Sequence, residues 1–183
     1  LTKASKQPKE FYQLLILIPK KKLEKEIKFK FSNQNLLITY HPVTLENNTA
    51  KSQFSNLLEA LDCFPKIKLI FTLPNSDTGG RIIIKLIKQY IKKNKNRSIA
   101  YSSLGQLKYL SLFKCVDGIV GNSSSGIIEA SSFKIGTVNI GDRQRGRIAP
   151  KSVINCKENK ISIIKAIKKI YSKEFKKNIL KIK

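Results

Sequence analysis

The sequence has no methionine, no tryptophan and a single histidine, and only 12 acidic residues stand against 36 basic ones. Each scarcity excludes something. The three cysteines, Cys63, Cys115 and Cys156, are odd in number, widely spaced and without a CxxC neighbour. That pattern argues against a disulfide framework or a zinc site and fits a reducing cytoplasm, with each thiol expected to act as a small buried hydrophobe. No apolar run approaches the roughly 20 residues that a membrane span needs. The run FYQLLILIP at 11–19 is too short and lacks the small-residue cleavage site of a signal peptide, so no membrane association is expected. Neither a P-loop nor a GxGxxG is present, which disfavours a Walker nucleotidase and a dinucleotide oxidoreductase. Without any methionine, position 1 is not a natural start, and the chain reads as part of a longer one.

What the chain has in excess is positive charge: a formal net charge of +24 and an isoelectric point near 10.1. Such a balance first suggests nucleic acid or an anionic surface. The cations are overwhelmingly lysine, however, with arginine only at Arg81, Arg97, Arg143, Arg145 and Arg147. Lysine, isoleucine and asparagine are abundant together, as an AT-biased coding sequence would produce. The lysines are spread along the chain rather than interleaved with aromatics. A solvated basic face is the expected meaning, and no specific nucleic-acid partner.

Residues 1–34 are lysine-rich and poorly patterned, an irregular arm with a partial helix expected around 20–27. Beyond them the pattern becomes regular and defines one domain, 35–183. Strands are predicted at 35–40, 67–72, 97–101, 116–120, from 136, and at 152–155. Helices are predicted at 49–61, 77–93, 105–113, 127–133 and 161–170. The second of these places Ile83, Leu86, Ile87, Tyr90 and Ile91 on one face. Apolar strands alternating with amphipathic helices imply an α/β fold with a doubly wound parallel sheet.

The stretch GIVGNSSSGIIEASSFKIGTVNIGDRQRGR at 118–147 carries the chemistry. Ser123, Ser124 and Gly126 sit between a strand and the start of a predicted helix. A helix start offers unpaired N–H groups and the positive end of a dipole, and serine hydroxyls add donors without bulk. We read this as a diphosphate cradle. The competing reading, serines as ordinary helix caps, is the commoner meaning of a lone NSSSG, and it is the neighbouring acid and arginines that favour a site. Glu129, expected in the second turn of that helix, can face the same mouth and accept from ribose hydroxyls. Arg143, and after it Arg147, offer guanidinium forks to phosphate oxygens, whereas Arg145 reads as surface. His41 ends the first predicted strand and is followed by a proline, a place where imidazole serves as acid, base or phosphate donor. Asn75 follows the strand ending FTLP, with its amide in reach of the same cleft, while Asp77 reads as the cap of the next helix.

These residues carry a resemblance. GNSSSGIIEA followed by TVNIGDRQRGR, with ITYHPVTLEN at 38–47 and FTLPNSDTGG at 71–80, resembles the hydrolysing UDP-N-acetylglucosamine 2-epimerases, particularly the sialic-acid and legionaminic-acid branch. The similarity runs from about residue 36 to about residue 170 and covers only that family's C-terminal domain. It implies one half of a two-domain GT-B-type fold, with residues 1–34 holding the interdomain linker. Uridine diphosphate would lie on Asn75, Leu104, Ser123, Ser124, Glu129, Arg143 and Arg147, and His41 would lie near the diphosphate and the sugar. Leu104 enters by the resemblance alone, as a backbone contact to the uracil edge. The implied reaction eliminates UDP from a UDP-N-acetyl-hexosamine and hydrates the unsaturated sugar, with no metal and no cofactor. Most of the proton-carrying acids would lie on the missing first domain, and the full-length protein would pair as a homodimer in the cytoplasm. A basic nucleic-acid-binding module, an inactive remnant of the epimerase and a glycosyltransferase of the same architecture remain as alternatives, the last fitting the HPVT and GDRQ motifs less well.

Overall fold

In β1 (Asn35–Thr39) every residue is buried, as expected of a strand covered on both faces. A computed structural model describes residues 16–43 and 49–181 of the chain, so the TLENN stretch at 44–48 and the run at 11–15 lie outside the described residues. β1 pairs in parallel with β2 (Lys68–Thr72) on one side and β4 (Gly118–Gly121) on the other. β3 (Ser98–Tyr101), β5 (Gly136–Ile140) and β6 (Val153–Cys156) complete a six-stranded parallel sheet in the order β3-β2-β1-β4-β5-β6. This is a Rossmann-like sheet. The chain winds outward from β1 to β3, then returns across β1 and winds the other way, so a crevice opens beyond the ends of β1 and β4.

Helices cover both faces: α1 (Lys20–Glu26), α2 (Thr49–Asp62), α3 (Thr78–Lys93), α4 (Gly105–Leu112), α5 (Ser125–Ile128), α6 (Lys160–Tyr171) and α7 (Lys173–Leu180). Because strand side chains alternate, Leu36 and Ile38 point into one core with Phe54, Leu57, Ile83 and Ile167, and Leu37 points into the other with Leu23, Leu110 and Phe113. In α3, Ile83, Ile87 and Tyr90 are the buried stripe, and Leu86 and Ile91 pack partly against it. Asp77 caps that helix by accepting from the Gly80 N–H at 2.6 Å. No helix among the described residues is long and apolar enough to cross a membrane.

Four expectations change. The partial helix expected around 20–27 is α1, but the described part of the arm is packed rather than irregular: Leu23 and Ile27 are 0% and 3% exposed, and Phe29 is buried beside them. Each such side chain contributes about 1.5–3 kcal/mol by leaving water, and the Glu24 carboxylate accepts from the Phe31 N–H at 2.8 Å to turn the chain toward β1. Cys63 is exposed just past the end of α2, and Cys115 and Cys156 are half-buried, so none is a fully buried hydrophobe. The helix expected at 127–133 is instead one α-turn, α5, followed by a 3-10 turn over Ala130–Phe133. Finally, α7 was not foreseen; it adds Phe175 and Ile179 to the first core.

The Thr137 hydroxyl, reaching over from β5, donates to the Gly126 carbonyl of α5 at 2.6 Å. Gly126 permits the approach, because a Cβ there would lie 2.6 Å from the Thr137 Cγ2.

Candidate functional site

The parallel register aligns Tyr101, Thr72, Thr39, Gly121 and Asn139 in one row across the sheet. One short loop beyond that row lie Leu104, Asn75, His41, the Ser123–Ser124 pair and Arg143 in turn. The fold therefore gathers residues from five separate segments along one edge, which their sequence spacing alone does not reveal.

The centre of that edge is the crevice between β1 and β4. Gly121 has φ +149° and sits so close to β1 that a Cβ would lie 1.9 Å from the Thr39 carbonyl oxygen. Only glycine allows this crossing. It drops Asn122, 1% exposed, directly beneath His41. The Asn122 Oδ1 accepts from the His41 main-chain N–H at 2.8 Å, and its Nδ2 donates to the His41 carbonyl at 2.8 Å. From β5, Arg143 Nη1 and Gln144 Nε2 donate to the Asn122 carbonyl at 3.1 Å and 2.8 Å. Sequence reasoning counted Asn122 only as the opening of the serine loop and missed Gln144 altogether. An amide immediately after a buried strand and a strand-end glycine was the available signal for the first. Nothing local marked the second.

Among the serines, Ser123 rather than Ser124 meets the helix start, its hydroxyl accepting from the Ser125 N–H at 3.4 Å. Ser124 occupies the N-cap position of α5, yet its side chain makes no capping hydrogen bond. The Ser123 and Ser125 hydroxyls lie 3.1 Å apart, and Ser125 Oγ is 2.6 Å from the Tyr109 hydroxyl of α4. With only one turn behind it, α5 contributes little dipole. The helix-dipole half of the sequence expectation is weakened accordingly.

His41 is half-buried and its pKa is lowered, first by burial, then by the Arg143 charge, with Asp77 pulling the other way. The imidazole is therefore neutral at neutral pH, able to accept a proton. Burial raises the Glu129 carboxyl above its ordinary range. Tyr109 beside it is pushed up to about 12, chiefly by burial and further by the Glu129 charge, against the opposing bond to Ser125. Tyr109, Ser125 and Glu129 thus form one polar corner at the start of α5, although Glu129 closes the single α-turn rather than sitting in a second one.

The remaining candidates are less engaged. Asn75 is exposed past the end of β2. Leu104 is half-buried, packing its side chain into the second core at the head of α4. Arg147 and Arg143 are exposed and line the same cavity of about 830 Å³, together with Gln53, Gln144 and Glu158. Arg145, set aside as surface, lines it as well. Ser123 and Ser124 lie outside that cavity, which opens toward β5 and β6. A larger groove of about 1130 Å³ runs along the open edge of β6, lined by lysines such as Lys151, Lys165 and Lys168 over Phe175 and Ile179. It lies away from the strand-end row, and we attach the chemistry to the row.

The chain matches the family described as UDP-N-acetylglucosamine 2-epimerase over residues 13–182. It is 41% identical over 159 residues to a GDP/UDP-N,N'-diacetylbacillosamine 2-epimerase (hydrolyzing) of Campylobacter jejuni, a match covering 87% of this chain and 41% of that protein. A UDP-N,N'-diacetylbacillosamine 2-epimerase (hydrolyzing) of Legionella pneumophila is 39% identical over 119 residues, covering 65% and 31%. The chain thus spans about two fifths or less of these relatives. Among solved structures, the UDP-GlcNAc 2-epimerase of Neisseria meningitidis bound to UDP-GlcNAc superposes with a TM-score of 0.71 at 18% identity, covering 90% of this chain and 44% of that one. At that identity the likeness concerns the fold.

Proposed function

The chain belongs to the UDP-N-acetylglucosamine 2-epimerase family, and on that premise we propose that it forms the uridine-diphosphate half of a hydrolysing nucleotide-sugar 2-epimerase. The observation that carries this reading is the convergence on Asn122: the His41 main chain just past β1 and the Arg143 guanidinium just past β5 both bond to it, and the hydroxyl loop follows it after β4, at the crevice where a Rossmann-like sheet takes its ligand.

In this reading the Ser123 and Ser124 hydroxyls donate to the diphosphate and Arg143 neutralises it, assisted by Arg147 from the adjacent cavity wall. Glu129 accepts from the ribose hydroxyls. Its raised pKa accords with a half-buried carboxyl whose ligand would supply the missing donors. Asn75 and the Leu104 main chain meet the base, which leaves the Leu104 side chain to the packing role seen in the fold. His41, kept neutral, stands between the diphosphate and the sugar.

The proposed reaction of the whole protein begins by removing a proton from the sugar and breaking the bond from its anomeric carbon to UDP. Water then adds to the unsaturated sugar, and a proton returns to the opposite face at carbon 2. The products are UDP and a free 2-epimeric N-acetyl sugar. Stabilising the departing diphosphate is this domain's share, because Arg143 and the serine hydroxyls meet charge that grows as the bond breaks. The acids that carry the sugar protons lie on a preceding domain, so the chain alone binds UDP with little turnover. The substrate class is a UDP-linked N-acetyl-hexosamine, with the names of the relatives pointing to UDP-N-acetylglucosamine or its diacetylated relative. Three free thiols fit a reducing cytoplasm for the whole protein.

UDP titrated into the purified chain should move the amide signals of residues 121–126 and the His41 imidazole in a saturable way. UDP-N-acetylglucosamine should release little UDP. Unmoved signals in that loop refute the site, and robust turnover refutes the division of labour between domains.

A further inference from the structure

Asn122 has more bonds than its place in a loop requires. Its main-chain N–H donates to the Thr39 carbonyl at 3.1 Å, tying β4 to β1. Its side chain closes a two-bond ring with the His41 main chain, and its carbonyl takes both Arg143 and Gln144. A carboxamide alone among side chains of this size offers a donor and an acceptor in one plane, so aspartate, serine or leucine would each lose part of the ring. Gln144 is 6% exposed and its Oε1 finds no partner among the described residues, so its Nε2 bond to Asn122 is the polar contact that fixes it there.

We propose that Asn122 is a positioning residue that sets the His41 imidazole and the Arg143 guanidinium at a fixed separation, so that the two groups meet the diphosphate as one unit. The inference deepens the uridine-diphosphate reading and rests on it for its ligand. The charged groups acting on the imidazole are Arg143 from β5 and Asp77 from the head of α3. The Asn122 side chain is neutral and bonds the His41 main chain from both sides, so its replacement by alanine reports on placement rather than on charge. A loop amide that merely satisfied its own backbone would leave the imidazole's proton affinity untouched.

Because His41 is the chain's only histidine, its imidazole resonances are unambiguous. The test compares the native chain with Asn122→Asp and Asn122→Ala in His41 titration by NMR and in UDP affinity by calorimetry. Losing one or both ring bonds should weaken UDP binding about tenfold in either variant, the factor a single hydrogen bond to a buried group commands. Asn122→Asp should also raise the His41 pKa, since a carboxylate replaces a neutral amide. Its UDP affinity, relative to the native chain at the same pH, should recover as the new carboxyl protonates and donates again; Asn122→Ala should show no such recovery. Should either variant fail to fold, Gln144→Leu removes only one donor to the Asn122 carbonyl and is expected to shift the His41 titration and weaken UDP. Native titration and native UDP affinity in the folded variants overturn the proposal. If the native chain itself ignores UDP, the nucleotide reading falls, and the His41 titration alone decides the role of Asn122.

Discussion

Thr137 on β5 donates its hydroxyl to the Gly126 carbonyl at 2.6 Å, and this bond ties α5 to the neighbouring strand. The serine loop ends in one α-turn, with Glu129 at its close.

Thr137→Val keeps the shape and removes the donor, leaving a buried carbonyl without its partner. We expect a loss of about 1–3 kcal/mol in urea denaturation. Gly126→Ala gives the sharper sign test. Glycine-to-alanine inside a helix ordinarily stabilises by up to about 1 kcal/mol. Here the new methyl would meet Thr137 Cγ2 at 2.6 Å, so overpacking should instead destabilise by about 1–3 kcal/mol and weaken UDP binding with it. A stabilised Gly126→Ala protein would refute the close contact.

Arg143→Gln separates binding from folding. The side chain is exposed, and among the described residues it bonds to a carbonyl that Gln144 also satisfies. Folding stability should change by no more than about 0.5 kcal/mol. Removing a guanidinium from a diphosphate should cost about 2–3 kcal/mol of binding, or roughly 30- to 150-fold in Kd. Arg147→Gln, set further along the cavity wall, should cost less than Arg143→Gln in the same calorimetric titration. Equal losses, or none for Arg143, would reassign the phosphate contact.

The sheet was legible because buried parallel strands are continuous apolar runs, and VDGIV and GTVNI cannot be mistaken for amphipathic helices. The tie between α5 and β5 was not legible, because Thr137 stands eleven positions away from Gly126. Tyr109 and Ser125 meet across 16 residues of sequence, and no local pattern announces that contact. Asn122 lay in plain sight within NSSSG, yet its function depends on a positive-φ glycine crossing β1, a property of the sheet's geometry. In the arm the helix around 20–27 was legible, but the surrounding lysines hid that Leu23, Ile27 and Phe29 are buried against the core.

That burial makes its own prediction. Leu23 is wholly buried against Leu110 and Phe113 in the second core. Leu23→Ala should cost about 2–5 kcal/mol, the cost of a core cavity rather than of a linker residue. A change within about 0.5 kcal/mol, measured by denaturant midpoint, would return the segment to the status of a loose arm.

The pH dependence follows from two groups shifted in opposite directions. The folded His41 pKa lies below its ordinary 6.5, so in the window between them the unfolded chain holds more protons. Its contribution to stability is fully present above pH 6.5 and is lost as pH falls through the folded value. The folded Glu129 pKa lies above its ordinary 4.5, so the native state holds the extra proton there, and this contribution is lost as pH rises from 4.5 through the folded value. His41→Gln should therefore flatten the decline just below pH 6.5, and Glu129→Gln should remove the opposite trend. A diphosphate beside His41 would offset the Arg143 charge and raise the imidazole pKa, so binding UDP should draw in protons between the free and bound values. Calorimetry in two buffers of different ionisation enthalpy measures that uptake, and subtracting the His41→Gln result removes the nucleotide's own phosphate titration. An identical proton count in the native chain and in His41→Gln would mean that the diphosphate does not reach the imidazole, and His41 would then have no part in the site.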